Sequence, residues 1–375
     1  MPTLWGLRFT REELMQRIGR LEQVAGVRLV EHGDGMERGV RVLEFRTGSG
    51  FSFDVLVDRA MDIGRCEHDG RALGWQSATG FIGPWYYEPE ELGWLRGFGG
   101  GLLTTCGMEH ALFMAEDTAA HYNYPPKQTE RFGLHGRVSY LPAKLAGYGA
   151  RWDGDECTLW AEGEIAQAAV FGENLILRRR VEAKVGEDRL TIHDVVTNTG
   201  WAPTPHMYLY HINVGFPALD DGAELLISAS NPTPRGDHAV EGYRRFHGPT
   251  AGYTEQVTEH DVNAERDGSV PVAIANRAAG FGAYEVFNRN QLPRHFIWRM
   301  LGQGTYVVGI EPSTNRTSGR LPAREAGELT VLQPGESRAY DLELGALIGN
   351  DAIDDFATRV EAVGDGQTAR RRDGQ

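Results

Sequence analysis

Short runs in which apolar and polar residues alternate recur along most of the chain. Residues 27–32, 39–45 and 51–57 place an apolar side chain at every second position, the period of a strand with one buried face. The same period returns at 157–162, 175–185 and 189–196, and the last two meet at Gly186-Glu187-Asp188, a hairpin signal. Asp34-Gly35, Asp69-Gly70, Asp153-Gly154 and Asp267-Gly268 punctuate such runs as turns. Residues 306–310 read as a buried strand that stops at Glu311-Pro312, because proline removes a backbone donor. Helical period is rare. Thr10 with Glu13 three residues on is a capping-box signature and predicts a short N-terminal helix over 11–18.

Residues 80–107 break the pattern. They are rich in glycine and aromatics, including Trp85, Trp94, Phe98 and Gly99-Gly100-Gly101, and read as irregular or short helical structure laid across one face. A long non-repetitive segment in a compact fold is often functional. Near the C-terminus, Gln333-Pro334-Gly335-Glu336 suits a type II turn between two further strands. The polar, basic stretch at 363–375 reads as a disordered tail. Many short strands, few helices and no βαβ alternation predict an all-β protein, a large antiparallel β-sandwich with a short N-terminal helix, in one domain over 1–362.

Composition narrows the function classes. Hydrophobic residues make up 41% and charged residues 24% of the 375, enough for a large core. The net charge of −14 argues against nucleic acid and anionic membranes as partners. Cys66, Cys106 and Cys157 form no CxxC pair, so neither a disulfide framework nor a structural zinc site is expected. The N-terminus lacks a secretory pattern and no run of about 18 apolar residues occurs, so a cytoplasmic protein without a membrane span is the expectation. A homodimer is compatible with the sequence.

Three segments carry candidate chemistry. A carboxylate at the end of a buried strand, Glu311, needs a task or a partner. Residues 205–215 hold His206, His211 and Asn213 in an otherwise β-rich run, and a Glu and a His meeting in one cleft make a general base and a general acid. His206 and His211 are five apart, so a regular strand points them to opposite faces. His211 is favoured because it shares a face with Asn213. In Arg131-Phe132-Gly133-Leu134-His135-Gly136-Arg137, the glycine lets backbone approach a ligand and Arg137 offers a forked donor. Arg59 is open to two readings, a ligand contact or a solvated turn with a local ion pair. Trp298 lies in the run before the Glu311 strand, which makes it the best placed of Trp75, Trp94 and Trp298 to stack on a ligand.

The His135-Gly136 turn, the His211-Ile212-Asn213 strand, Glu311-Pro312 and Leu332-Gln333-Pro334-Gly335-Glu336, in this order, resemble the galactose mutarotase-like superfamily of aldose 1-epimerases. His211-Ile212-Asn213-Val214 departs from the family's His-x-Tyr-Phe-Asn-Leu strand, whereas His206-Met207-Tyr208 keeps its His-x-Tyr order, so His206 stays an alternative acid. The resemblance implies the supersandwich fold and the interconversion of α and β anomers of a sugar or sugar acid. Glu311 would be the base and His211 the acid. His135, Arg137, Asn213, His206, Trp298 and Arg59 would be substrate contacts, and the partner a small-molecule carbohydrate, with no cofactor and no metal. Two other classes remain open. Glu109, His110, His121, His135, His206 and His211 converging on a divalent ion would make a metal-dependent isomerase or lyase, and aromatic platforms without chemistry would make a carbohydrate-binding protein.

Overall fold

A computed structural model describes the backbone of residues 1–373 and side chains through Gly364. Its body is two antiparallel sheets of twelve and eight strands. The larger runs, in spatial order, Ala229–Arg235, Gln256–Val262, Arg294–Gly302, Thr305–Ser313, Thr204–Val214, Leu103–Met108, Asp62–His68, Phe51–Leu56, Arg41–Arg46 and Gly26–Glu31, with two short strands off this path. The smaller runs Lys144–Asp153, Glu156–Ala168, Asn174–Lys184, Arg189–Asn198, Ser337–Ile348, Phe281–Asn288, Ser269–Asn276 and Glu224–Ile227. One hydrophobic cluster joins the facing sides, with Leu177, Val181, Ile192 and Leu342 from the smaller sheet and Phe53, Tyr208, Tyr210 and Ile310 from the larger.

Charge also ties the sheets together. Fully buried Arg179 donates to Asp194 Oδ2 at 2.7 Å and to Asp62 Oδ1 at 2.8 Å. Tyr208 and Tyr210 hydroxyls donate to the same Asp194 oxygen, and Thr105 donates to Asp62. Five strands of two sheets are thereby fixed against one another around one guanidinium, and one of them carries His211.

Several expectations hold. The N-terminal helix forms over Arg11–Met15 with both halves of its capping box, and the turn at Gly186-Glu187-Asp188 joins the paired strands Asn174–Lys184 and Arg189–Asn198. Others need correction. The end of the glycine-rich segment is a fully buried strand, Leu103–Met108, inside the large sheet; the glycines ahead of it masked its β-rich residues. The rest is irregular as expected, with short 3-10 turns at Pro84–Tyr86 and Gly93–Gly97. The Glu311 strand runs on to Ser313. Pro312 interrupts only the ladder towards Thr204–Val214, because pairing to Arg294–Gly302 continues through Pro312 opposite His295. The Pro334-Gly335 turn links strands that lie in different sheets, with Gly335 at φ +81°. A helix over Asn350–Asp373 overlaps the stretch read as a tail, and Val363 in it is buried; Gly374 and Gln375 lie outside the described residues. Among the described residues no helix is long and apolar enough to cross a membrane.

Candidate active site

Register alone brings the two central groups together. In the pairing of Thr204–Val214 with Thr305–Ser313, Leu209 faces Ser313 and Ile212 faces Ile310. His211 therefore stands opposite Glu311, and directly opposed residues share a face of the sheet. That face is set by alternation. Tyr208, Tyr210, Ile212 and Val214 enter the core between the sheets, while Met207 and Leu209 join a second cluster on the other side with Trp94, Phe98 and Phe296. The irregular segment at 80–101 packs over this outer side and roofs it.

Between roof and sheet lies a cavity of about 580 Å³. His211, Glu311, Trp298 and Phe296 reach it from the sheet; Trp75, Trp94, Phe98 and His135 come from the covering segments. His211 Nε2 and Glu311 Oε1 are 3.2 Å apart. The approach is close but misaligned, so no hydrogen bond joins them and Oε1 keeps no partner; His211 Nδ1 is also buried without one. Aromatic rings surround the imidazole. Trp298 and Phe98 each meet it edge-on at 5.2 Å between centroids, and His135 does so at 5.6 Å. Trp94 packs on His135 at 4.7 Å.

This apolar enclosure sets the proton affinities. Burial, then the nearby Glu255 and Glu285 carboxylates, pushes the Glu311 carboxyl well above its usual range. Burial pulls the His211 imidazole down to about 4, against an opposing pull from Asn213. His135 is held well below the ordinary imidazole range by burial and by the neighbouring His211 and His110. The pair is thus biased to hold its proton on the carboxyl, with both groups uncharged.

Two glycine features make the arrangement possible. Gly100 and Gly101, at φ +72° and +83°, carry the roof strand past Trp75 and Ile63, whose carbonyls a Cβ would meet at 2.6 and 2.5 Å. On the sheet, a Cβ at Gly309 would lie 2.4 Å from Glu311 Oε1 and 3.2 Å from Trp298 Cβ. The space in which the carboxylate sits is the side chain that position 309 lacks.

Of the candidates read from sequence, Glu311, His211, His135 and Trp298 line the cavity, as do Trp75 and Trp94. Four others lie elsewhere. His206 is fully buried on the core side, between Met108 O at 2.8 Å and the Tyr340 hydroxyl at 2.7 Å, as five-residue parity dictates. Arg59 is a buried strut that donates to Ser139 O, Ile82 O and Gly97 O and stacks on Tyr140, which holds the aromatic roof in place. Arg137 pairs with Glu173 behind the His135 turn and lines a separate small cavity. Asn213 shares His211's side of the strand, yet its amide donates to Gly101 O and to His211 O, so it ties the roof to the strand. The six residues of the metal reading do not converge; among the described residues no group of three His, Cys, Asp or Glu has metal-holding geometry. The cysteines are free and buried. Sequence reading missed Glu255, which accepts from Trp298 Nε1 at 2.9 Å, and Arg235, stacked on Phe113. Only the strand register, invisible in one sequence, places them at the cavity.

Known structures share this architecture. A protein from Klebsiella pneumoniae described as "a putative aldose 1-epimerase" is 25% identical, with a TM-score of 0.82 over 90% of this chain and 87% of that one. A galactose mutarotase-like protein from Clostridium acetobutylicum, 12% identical, superposes with a TM-score of 0.59 over 86% and 99% of the two chains. A galactose 1-epimerase from Lactobacillus acidophilus, also 12% identical, gives 0.55 over the same shares. No curated protein matches the sequence. The fold is that of the galactose mutarotase-like proteins, as a divergent member. Residues 37–346 match the family described as "Domain of unknown function (DUF4432)", and the chain belongs to that family.

Proposed function

We propose that this protein interconverts the α and β anomers of a sugar or sugar acid by acid–base ring opening, with Glu311 and His211 as the proton-transfer pair. The observation that carries this reading is the 3.2 Å approach of His211 Nε2 to Glu311 Oε1, unbonded, in an aromatic-walled cavity. Each keeps an unpartnered polar atom for a substrate hydroxyl or ring oxygen. Trp75, Trp94 and Trp298 supply faces for the apolar side of a pyranose.

In the ring-opening direction Glu311 takes the anomeric hydroxyl proton as His211, protonated, gives its proton to the ring oxygen. The C1–ring oxygen bond breaks while the C1 carbonyl forms. After half a turn about C1–C2, Glu311 returns a proton to the carbonyl oxygen and His211 removes one from the attacking hydroxyl. The pair begins and ends with the same single proton, so no exchange with bulk water is needed. The uncharged state that the apolar enclosure favours is the one reached after ring opening. Sugar hydroxyls reaching His211 Nδ1 and Glu311 Oε1 stabilise the ionised alternative. His135, held neutral, is a hydrogen-bonding contact and not a second acid.

Polarimetry on freshly dissolved single anomers tests the reading. The wild-type protein should speed relaxation to the anomeric equilibrium, and Glu311→Gln or His211→Gln should each slow it by about 10²–10⁴-fold. Ligand-observed NMR should show sugar still bound by Glu311→Gln. A Glu311→Gln variant as active as wild type would sink the proposal. Binding without any wild-type acceleration would favour a carbohydrate-binding protein instead.

A further inference from the structure

The strand register extends the site well beyond the proton-transfer pair. Asn213 opposes Gly309, Gly309 opposes Trp298, Trp298 opposes Val257, and Val257 opposes Arg235. All five belong to one row on the cavity face. Arg235 sits three strand spacings from the strand of Glu311, roughly 14 Å across the sheet. It is the single Arg or Lys among the residues lining the cavity. Its guanidinium carbon lies 3.3 Å from the centre of the Phe113 ring, which orients the plane and leaves its N–H edges free. Most other arginines of this acidic chain are paired with carboxylates; among the described residues Arg235 has no carboxylate within 4.0 Å. Glu255, the other charged group near it in the lining, is engaged by Trp298 Nε1.

The lining of the cavity, at about 580 Å³, takes in both Glu311 and Arg235. With a ring seated with its anomeric carbon at Glu311 and His211, Arg235 lies three strands away, within reach only of a substituent remote from that carbon. From this geometry we infer that Arg235 is a specificity-determining residue that receives an anionic substituent of the sugar, a carboxylate or phosphate, remote from the anomeric carbon. The inference rests on the mutarotase reading and names its substrate class. A carboxylate matches the guanidinium fork in two parallel hydrogen bonds, and a phosphate supplies the same acceptors with more charge.

The test compares matched sugars: glucose and galactose against their uronates and 6-phosphates. Anomer exchange is measured by saturation-transfer NMR for wild type, Arg235→Gln and Arg235→Lys, with thermal melting to show that each variant is folded. Binding of the same sugars to the Glu311→Gln protein and to its Arg235→Gln double variant is followed by ligand-observed NMR. The expected result is that wild type prefers one anionic class over the neutral sugar by about 10- to 100-fold in kcat/KM. Arg235→Gln should remove that preference, mainly through KM, and leave the neutral sugar within about twofold. Arg235→Lys should recover only part of it, less for a uronate than for a phosphate. Preference for uronates or for 6-phosphates identifies the substituent. Equal rates on neutral and anionic sugars, unchanged in Arg235→Gln, would overturn the inference while leaving the mutarotase reading intact. No exchange on any sugar, with anion binding still lost in the Arg235→Gln double variant, would overturn the mutarotase reading and leave the role of Arg235 standing.

Discussion

At the scale of residues, the site is two groups that share one proton inside an aromatic box. The direction of each shift predicts the pH dependence. His211 titrates near 4 and Glu311 well above the usual carboxyl range, so the pair holds its single proton between those limits. Exchange rates should fall on the acid side near pH 4, as His211 gains a second proton, and on the basic side as the pair loses its last one. A basic-side fall already complete near pH 4.5, the ordinary carboxyl value, would contradict a raised Glu311. The same shift has a sign in stability. Folded Glu311 keeps a proton that the unfolded chain releases above about pH 4.5, so its contribution is full below that value and is lost as pH rises through the folded pKa. Wild type should therefore lose melting temperature relative to Glu311→Gln as pH increases, and a constant difference would refute the shift. Sequence parity put His211 and His206 on opposite faces, because period two is a rigid property of strands, but which face carries the cavity came from the fold. Arg59 and Arg137 were not legible: a guanidinium's role depends on which distant carbonyls and carboxylates meet it, and Ser139, Gly97 and Glu173 are brought close by the fold.

At the scale of elements, function depends on how closely strands and roof approach. Gly309 shows this most plainly. Gly309→Ala would press on the Glu311 carboxylate and on Trp298 while lying in an otherwise regular strand. Since the carboxylate is the movable end of a side chain, it should shift and the fold should survive. Exchange should fall by about 10²-fold with a melting temperature close to wild type; full activity would mean that the carboxylate's place is not constrained there. Most strands, the capped helix and the 186–188 hairpin were readable because local alternation and turn chemistry agree with the fold. The Leu103–Met108 strand was not, because three glycines ahead of it imitate a loop. Gly100 and Gly101 are there for close passage against Trp75 and Ile63, and Gly99 for passage against Gly80. Pro312 likewise suggested a strand end, yet its missing donor faces the Thr204–Val214 side only.

For the whole molecule, the two sheets are held by apolar burial and by the Arg179 network, which also fixes the strand of His211. Arg179→Met should leave Asp62 and Asp194 as buried, unpaired carboxylates and cost about 3–5 kcal/mol in denaturant unfolding; a loss under about 1 kcal/mol would show that the network contributes little. The sandwich class could be read from strand number and spacing. The placing of a cavity on the outer side of the larger sheet, and of Arg235 and Glu255 at it, required the order of strands across that sheet, which no local pattern encodes. The central claim is that Glu311 and His211 move protons on a sugar ring. The most direct measurement is saturation transfer between α- and β-anomer NMR signals across a panel of aldoses and uronates, wild type beside Glu311→Gln. The account predicts at least one sugar whose exchange wild type accelerates and Glu311→Gln does not, although both bind it. Equal exchange with the two proteins on every sugar bound would contradict it.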